Sequence, residues 1–154
     1  MSIETVKAYL AAFGRDNDVI QPPVSTATVQ LAAEALGTEP ARIAKTLSFY
    51  KEDHALVVVV AGDAKIDNKK FKDTFGLKAK MLSAEDLERL TGHPPGGVCP
   101  FALPAGAEVW LDDSLKRFDF VFPACGTPSS AIKLTPAELE TLSAATGWVD
   151  VTKL

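Results

Sequence analysis

The chain has 154 residues, of which 47% are hydrophobic and 23% charged, with a formal net charge of −4. That size suits one domain with a substantial core, and the apolar share excludes a disordered chain. The acidic balance excludes a general polyanion binder, and no apolar run approaches the roughly 20 residues of a membrane span, so no membrane partner is expected.

Residues 2–13 read as an amphipathic helix, with Ser2 as N-cap and Ile3, Val6, Tyr9, Leu10 and Phe13 on one face. This start lacks the basic region and cleavage site of a signal peptide. Two cysteines, Cys99 and Cys125, make no disulfide framework, so a reducing cytoplasm is the expected home. An extended piece over 18–23 leads to a second helix over 28–36, capped by Ser25 or Thr26 and stopped by Gly37. Pro40 opens a helical turn over 39–43.

The period then changes. Residues 44–50 read as a strand whose alternation puts Lys45 on the face of Leu47 and Phe49. Residues 55–61, with Val57 to Val60 unbroken, read as a central strand covered on both faces and paired with the first as a hairpin. It ends at the turn signal Gly62-Asp63. Asp67 caps a helix through Phe75, Gly76 closes it, and residues 79–82 form a short strand. Ser83 caps a helix over 84–90, with Asp86 at capping-box spacing. Further strands are expected over 108–111, 118–122, 130–134 and 148–151, with a turn over 112–117. A helix opened by Thr135, Pro136 and Glu138 runs to Ala145. No repeat or linker divides the chain, so residues 1–154 are expected to form one α/β domain with a mixed sheet.

The stretch 91–103, TGHPPGGVCPFAL, packs three glycines and three prolines between Gly92 and Pro100. It can be neither helix nor central strand, yet Val98, Cys99, Phe101 and Leu103 are apolar. It reads either as a loop that presents backbone amides to a ligand or as a structural crossover. Lys45, at the head of an apolar strand, either meets a phosphate or an ester carbonyl or simply snorkels. Cys99 with His93 six residues earlier raises a thiol hydrolase without a third member, against a buried hydrophobic cysteine. Asp63 is a general-base candidate or just a turn residue. Between Ala64 and Lys80, six lysines stand against Asp67 and Asp73, as a polyanion dock or a solvated face. His54, His93, Cys99 and Cys125 have no metal-ligand spacing, and no phosphate-loop or dinucleotide fingerprint is present.

Four blocks occur in order: AKTLSF around Lys45, GDAKIDNKKF at 62–71, TGHPPGGVCPF at 91–101, and the loop near Gly126 before AIKLTPAEL. Together they resemble the YbaK/EbsC family, relatives of the editing domain inserted in bacterial prolyl-tRNA synthetase. The resemblance implies a mixed, partly barrel-like sheet surrounded by helices. It also implies a cytoplasmic trans-editing aminoacyl-tRNA deacylase, needing neither cofactor nor metal. The implied substrate is tRNA(Pro) bearing Ala, Ser, Cys or 2-aminobutyrate, attacked by water or by the terminal ribose hydroxyl. Prolyl-tRNA synthetase is a further implied partner, and a monomer or weak homodimer is expected.

The family's lysine maps onto Lys45 and its Gly-x-x-x-Pro loop onto Gly96–Pro100. The catalytic set is thus Lys45, Gly96, Gly97, Val98 and Pro100. Thr46, Leu47, Gly62, Asp63, Cys99, Phe101 and Gly126 are expected at the substrate, and Lys65, Lys69 and Lys70 at the tRNA. Leu47, Val98, Phe101 and Phe122 are expected as pocket walls. Where cysteine-specific members carry an arginine-bearing glycine loop, this chain reads Cys125-Gly126-Thr127-Pro128-Ser129, which puts cysteine specificity in doubt. A non-catalytic tRNA-binding module using the same cleft is the alternative.

Overall fold

The computed structural model describes residues 2–26 and 28–154, without the side chain of Ser2, so the expected Ser2 cap lies outside the described residues. The first helix, α1 (Ser2–Ala11), buries Val6 and Leu10. The second, α2 (Val29–Leu36), is capped not by Ser25 or Thr26 but by Thr28, whose hydroxyl accepts the Leu31 N–H at 3.1 Å. Strands β1 (Ile43–Lys51) and β2 (His54–Ala61) form the expected antiparallel hairpin, with Ala44 opposite Ala61 and Lys51 opposite His54. The valine run is covered on both faces, with Val57 to Val60 fully buried.

After the short β3 (Lys65–Ile66), Asp67 caps α3 (Asn68–Phe75) by accepting the Lys69 and Lys70 N–H groups. Phe71 of α3 meets Phe49 of β1 at 4.7 Å between ring centroids, which fastens α3 to one face of the hairpin. Helix α4 (Ala84–Thr91) is held on the other face by Tyr50, whose hydroxyl donates to Asp86 and accepts the Ser83 N–H. The Asp86 carboxylate therefore reaches the helix start through a tyrosine and does not close the capping box itself.

Strand β4 (Glu108–Asp112) runs parallel to β2, and β6 (Gly147–Val149), reached through α5 (Pro136–Ser143), runs parallel to β4. On the far side the two-residue β5 (Phe122–Pro123) lies parallel to β1. The result is a mixed five-stranded sheet in the order β5-β1-β2-β4-β6, with β7 (Thr152–Lys153) pairing separately with β3.

Four expected strands are reduced. Residues 79–82 make one bridge, Met81 to Phe49, and residues 130–134 make two, Ala131 to Ile20 and Leu134 to Val121. Over 118–122 the aromatic alternation serves cation stacking. The Arg42 guanidinium lies 4.4 Å and the Lys133 ammonium 4.0 Å from the Phe120 ring. The last strand breaks because buried Asp112 takes the Val151 N–H, at 2.9 Å. Among the described residues no helix is long and apolar enough to cross a membrane.

Candidate active site

The outer edge of β1 is covered only in part. Strand β5 pairs with Ile43 and Ala44, and Met81 bridges at Phe49. Near that bridge the Tyr50 N–H donates to the Lys80 carbonyl and the Leu82 N–H to the Ser48 carbonyl, at 2.9 and 3.0 Å. Outward-facing groups recur at every second residue of an antiparallel ladder, so the N–H and C=O of Thr46 also face outward. A cleft of about 280 Å³ opens along this gap.

Lys45, Thr46 and Ser48 line the cleft from β1, Val29 and Ala32 from α2, and Gly96 and Val98 from the glycine-proline loop. Alternation divides the β1 side chains. Lys45 projects with Ile43, against which α2 packs, and Thr46 and Ser48 project to the face carrying α4. The cleft therefore wraps round a strand edge, with a lysine on one flank and two hydroxyls on the other. Burial pulls the Lys45 ammonium below the ordinary lysine range, with Lys65 adding to the effect and Asp63 opposing it.

The loop is built against a second loop. A side chain on Gly97 would stand 2.8 Å from the Gly126 carbonyl oxygen and from the Thr127 backbone, so only glycine permits this approach. Val98 and Phe122 line the cleft as expected of pocket walls, whereas Leu47 and Phe101 pack into the core. Pro100 and Gly126 are buried behind the loop and do not line the cleft.

Cys99 is likewise fully buried, and burial pushes its thiol well above the ordinary thiol range. His93 Nε2 lies 2.8 Å from the Phe101 carbonyl oxygen, to which it donates, and 3.4 Å from the Cys99 sulfur. A nitrogen that gives its proton to a carbonyl cannot also take one from the thiol. Cys99 and His93 thus form a packed internal pair with the chemistry of a core. The second thiol, Cys125, is also buried and is pushed up to about 12.

Gly62 and Asp63 lie beyond the cleft. Gly62 makes room for the Pro40 carbonyl oxygen, which would stand 2.1 Å from an added Cβ. The Asp63 carboxylate takes two hydrogen bonds from Arg117, at 2.5 and 3.0 Å, and the guanidinium holds it below the usual carboxylate range. It is a partner of arginine and not a free base. Lys65 and Lys69 are exposed, while Lys70 donates to Asp150 and to the Thr152 carbonyl oxygen. Among the described residues no three His, Cys, Asp or Glu side chains gather as a metal ion would require.

The sequence reading missed Ser48 and the α2 wall. Ser48 was accessible to the same alternation that paired Thr46 with it, whereas nothing in the α2 sequence marks it as a cleft wall.

The profile of a family described as the aminoacyl-tRNA editing domain matches residues 23–142, a span that includes every cleft element. The chain belongs to that family. This editing domain is 53% identical over 154 residues to the uncharacterized protein YwhH of Bacillus subtilis (strain 168), covering 99% of this chain and 98% of that protein. It is 32% identical over 92 residues to the proline–tRNA ligase of Caldicellulosiruptor bescii, covering 58% of this chain but only 15% of the ligase. Among solved structures, a candidate trans-editing enzyme for prolyl tRNA synthetase superposes with a TM-score of 0.89 at 31% identity, over 99% of this chain and 98% of that one.

Proposed function

We propose that this editing domain hydrolyses the ester joining a small, wrongly attached amino acid to tRNA, with tRNA(Pro) as the carrier. The observation that carries the proposal is one cleft, at an open strand edge, lined by Lys45 and by Gly96 and Val98 of the glycine-proline loop. The likeness to a proline–tRNA ligase and to a candidate trans-editing enzyme supports the choice of tRNA and a role in translation.

In this reading water adds to the ester carbonyl carbon and negative charge builds on the carbonyl oxygen. The bond from that carbon to the ribose oxygen then breaks. One proton of the water passes to the ribose oxygen, and the free amino acid leaves as a carboxylate after releasing the other. The Gly97 N–H donates to the Pro94 carbonyl at 3.0 Å. The other backbone N–H groups of the glycine-rich segment are therefore the ones suited to the developing oxyanion, and the Lys45 ammonium to the oxyanion or the terminal phosphate. No protein nucleophile takes part, in keeping with the burial of both thiols. An apolar pocket gains only about 1–3 kcal/mol from one methylene, so proline is rejected by steric exclusion at the cleft walls. Lys65 and Lys69 are exposed, which suits them to an acceptor stem in this reading.

The test is deacylation of tRNA(Pro) charged with Ala, Ser, Cys, 2-aminobutyrate or Pro, by the wild type and by Lys45→Ala. The expected result is hydrolysis of at least one small aminoacyl group, spared proline, and a loss of about 100-fold or more in the variant. Full activity of Lys45→Ala would remove the lysine from the mechanism. Retained tRNA binding with no turnover on any substrate would replace the enzyme with a binding module.

A further inference from the structure

Among the described residues five that bear hydroxyls line the cleft, and they divide sharply. Thr28 caps α2, and Thr26 donates to the Pro128 carbonyl at 3.1 Å. The Ser130 hydroxyl is enclosed by its own loop, accepting the Cys125 and Thr127 N–H groups at 3.2 and 3.3 Å. The hydroxyls of Thr46 and Ser48 are buried and have no hydrogen-bond partner among the described residues. Ser48 is only 3% exposed. Buried polar atoms in folded proteins are paired as a rule, so two adjacent exceptions on one strand face, in one cleft, point to a ligand that pairs them.

We infer that Thr46 and Ser48 form a polar floor that selects a hydroxyl-bearing amino acid, serine above all, as the group removed from tRNA. This deepens the deacylase reading and rests on it. The Cα atoms of residues two apart on a strand are separated by about 6.8 Å, and two hydroxyl–hydroxyl bonds of about 2.8 Å together reach about 5.6 Å. The two side chains therefore need only lean toward each other by about 1 Å to share one hydroxyl. A single hydroxyl lodged between the two donates to one and accepts from the other. A seryl side chain carries that group one bond from its Cβ. Alanyl and 2-aminobutyryl groups leave both hydroxyls unpaired, and a site built around a hydroxyl discriminates strongly against analogues lacking it. Cysteine has the same shape, but its thiol is a weak donor and acceptor, so it falls between.

The experiment compares kcat/KM for seryl-, cysteinyl- and alanyl-tRNA(Pro) in the wild type, Ser48→Ala and the near-isosteric Thr46→Val, each checked for folding by thermal melting. The expected wild-type preference for seryl over alanyl is about 100-fold, collapsing to within about 5-fold in either variant. A wild type that prefers alanyl, or a seryl preference that survives both substitutions, overturns the inference and leaves the deacylase standing. Absence of hydrolysis with every aminoacyl group overturns both.

Discussion

Two buried polar groups on neighbouring parts of the sheet have opposite fates. Asp112, at the end of β4, is fully buried, and its carboxylate accepts the Ser114 and Val151 N–H groups and the Thr152 hydroxyl, at 2.9, 2.9 and 2.7 Å. Thr46 and Ser48, two strands away on β1, carry buried hydroxyls that accept and donate nothing within the described protein. The satisfied cluster ties the end of β4 to the segment at Val151 and Thr152 and is structural. The unsatisfied pair lies where β1 loses its neighbour, and it is the part of the fold held ready for something else. Polar burial alone does not mark a site; polar burial without a partner, beside an opening, does.

The sharpest way to break this contrast is Asp112→Ala. It strands two backbone N–H groups and a hydroxyl in the interior, at about 1–3 kcal/mol for each group left unpaired. A loss of about 3–5 kcal/mol is expected, which lowers Tm by about 6–20 °C in a chain of this size. A melting curve within 2–3 °C of wild type would show that Asp112 is not the tie described. Cys99→Ala comes next. It removes a buried sulfur from the core and should cost about 1–2 kcal/mol in chemical denaturation, while the deacylation rate per folded molecule stays within about 3-fold. Loss of turnover in a folded Cys99→Ala protein would restore the thiol as a nucleophile.

Ser48→Ala sharpens the contrast from the other side. Deleting a hydroxyl that has no partner should change stability by about 0.5 kcal/mol or less, or raise it slightly. A penalty above about 1.5 kcal/mol would mean that the hydroxyl is satisfied inside the fold.

The smallest effect is expected from pH. The Lys45 pKa is lowered by burial from an ordinary value of 10.5. Between the folded value and 10.5 the unfolded chain still holds a proton that the folded one has released, so stability rises with pH through that window. Lys45→Met should remove this contribution, and an unchanged alkaline stability slope would show that the amine is not desolvated.

The hairpin, the caps at Asp67 and Ser83 and the helix start at Thr135 were legible because each depends on neighbours in sequence. The weak strands were not. Residues 118–122 alternate like a strand, but Phe120 is claimed by Arg42 and Lys133, whose approach depends on tertiary structure. For the site, Lys45 and Gly96 carried a signal through the resemblance. Cys99 and Phe101 were drawn in with the loop although their apolar character already placed them beneath it. The gap in β1 pairing could not be read at all, because it results from β5 being only two residues long.

The central claim is that the aminoacyl end of a tRNA lies along the open edge of β1, between Lys45 and the Gly96–Val98 segment. A non-hydrolysable amide analogue, seryl-3′-amino-3′-deoxyadenosine, titrated into labelled protein and followed by backbone amide shifts, tests it most directly. The shifts should centre on Thr46, Gly96, Gly97 and Val98 and weaken in Lys45→Ala. Perturbations that leave these four amides unmoved while others shift at saturating analogue would contradict the account.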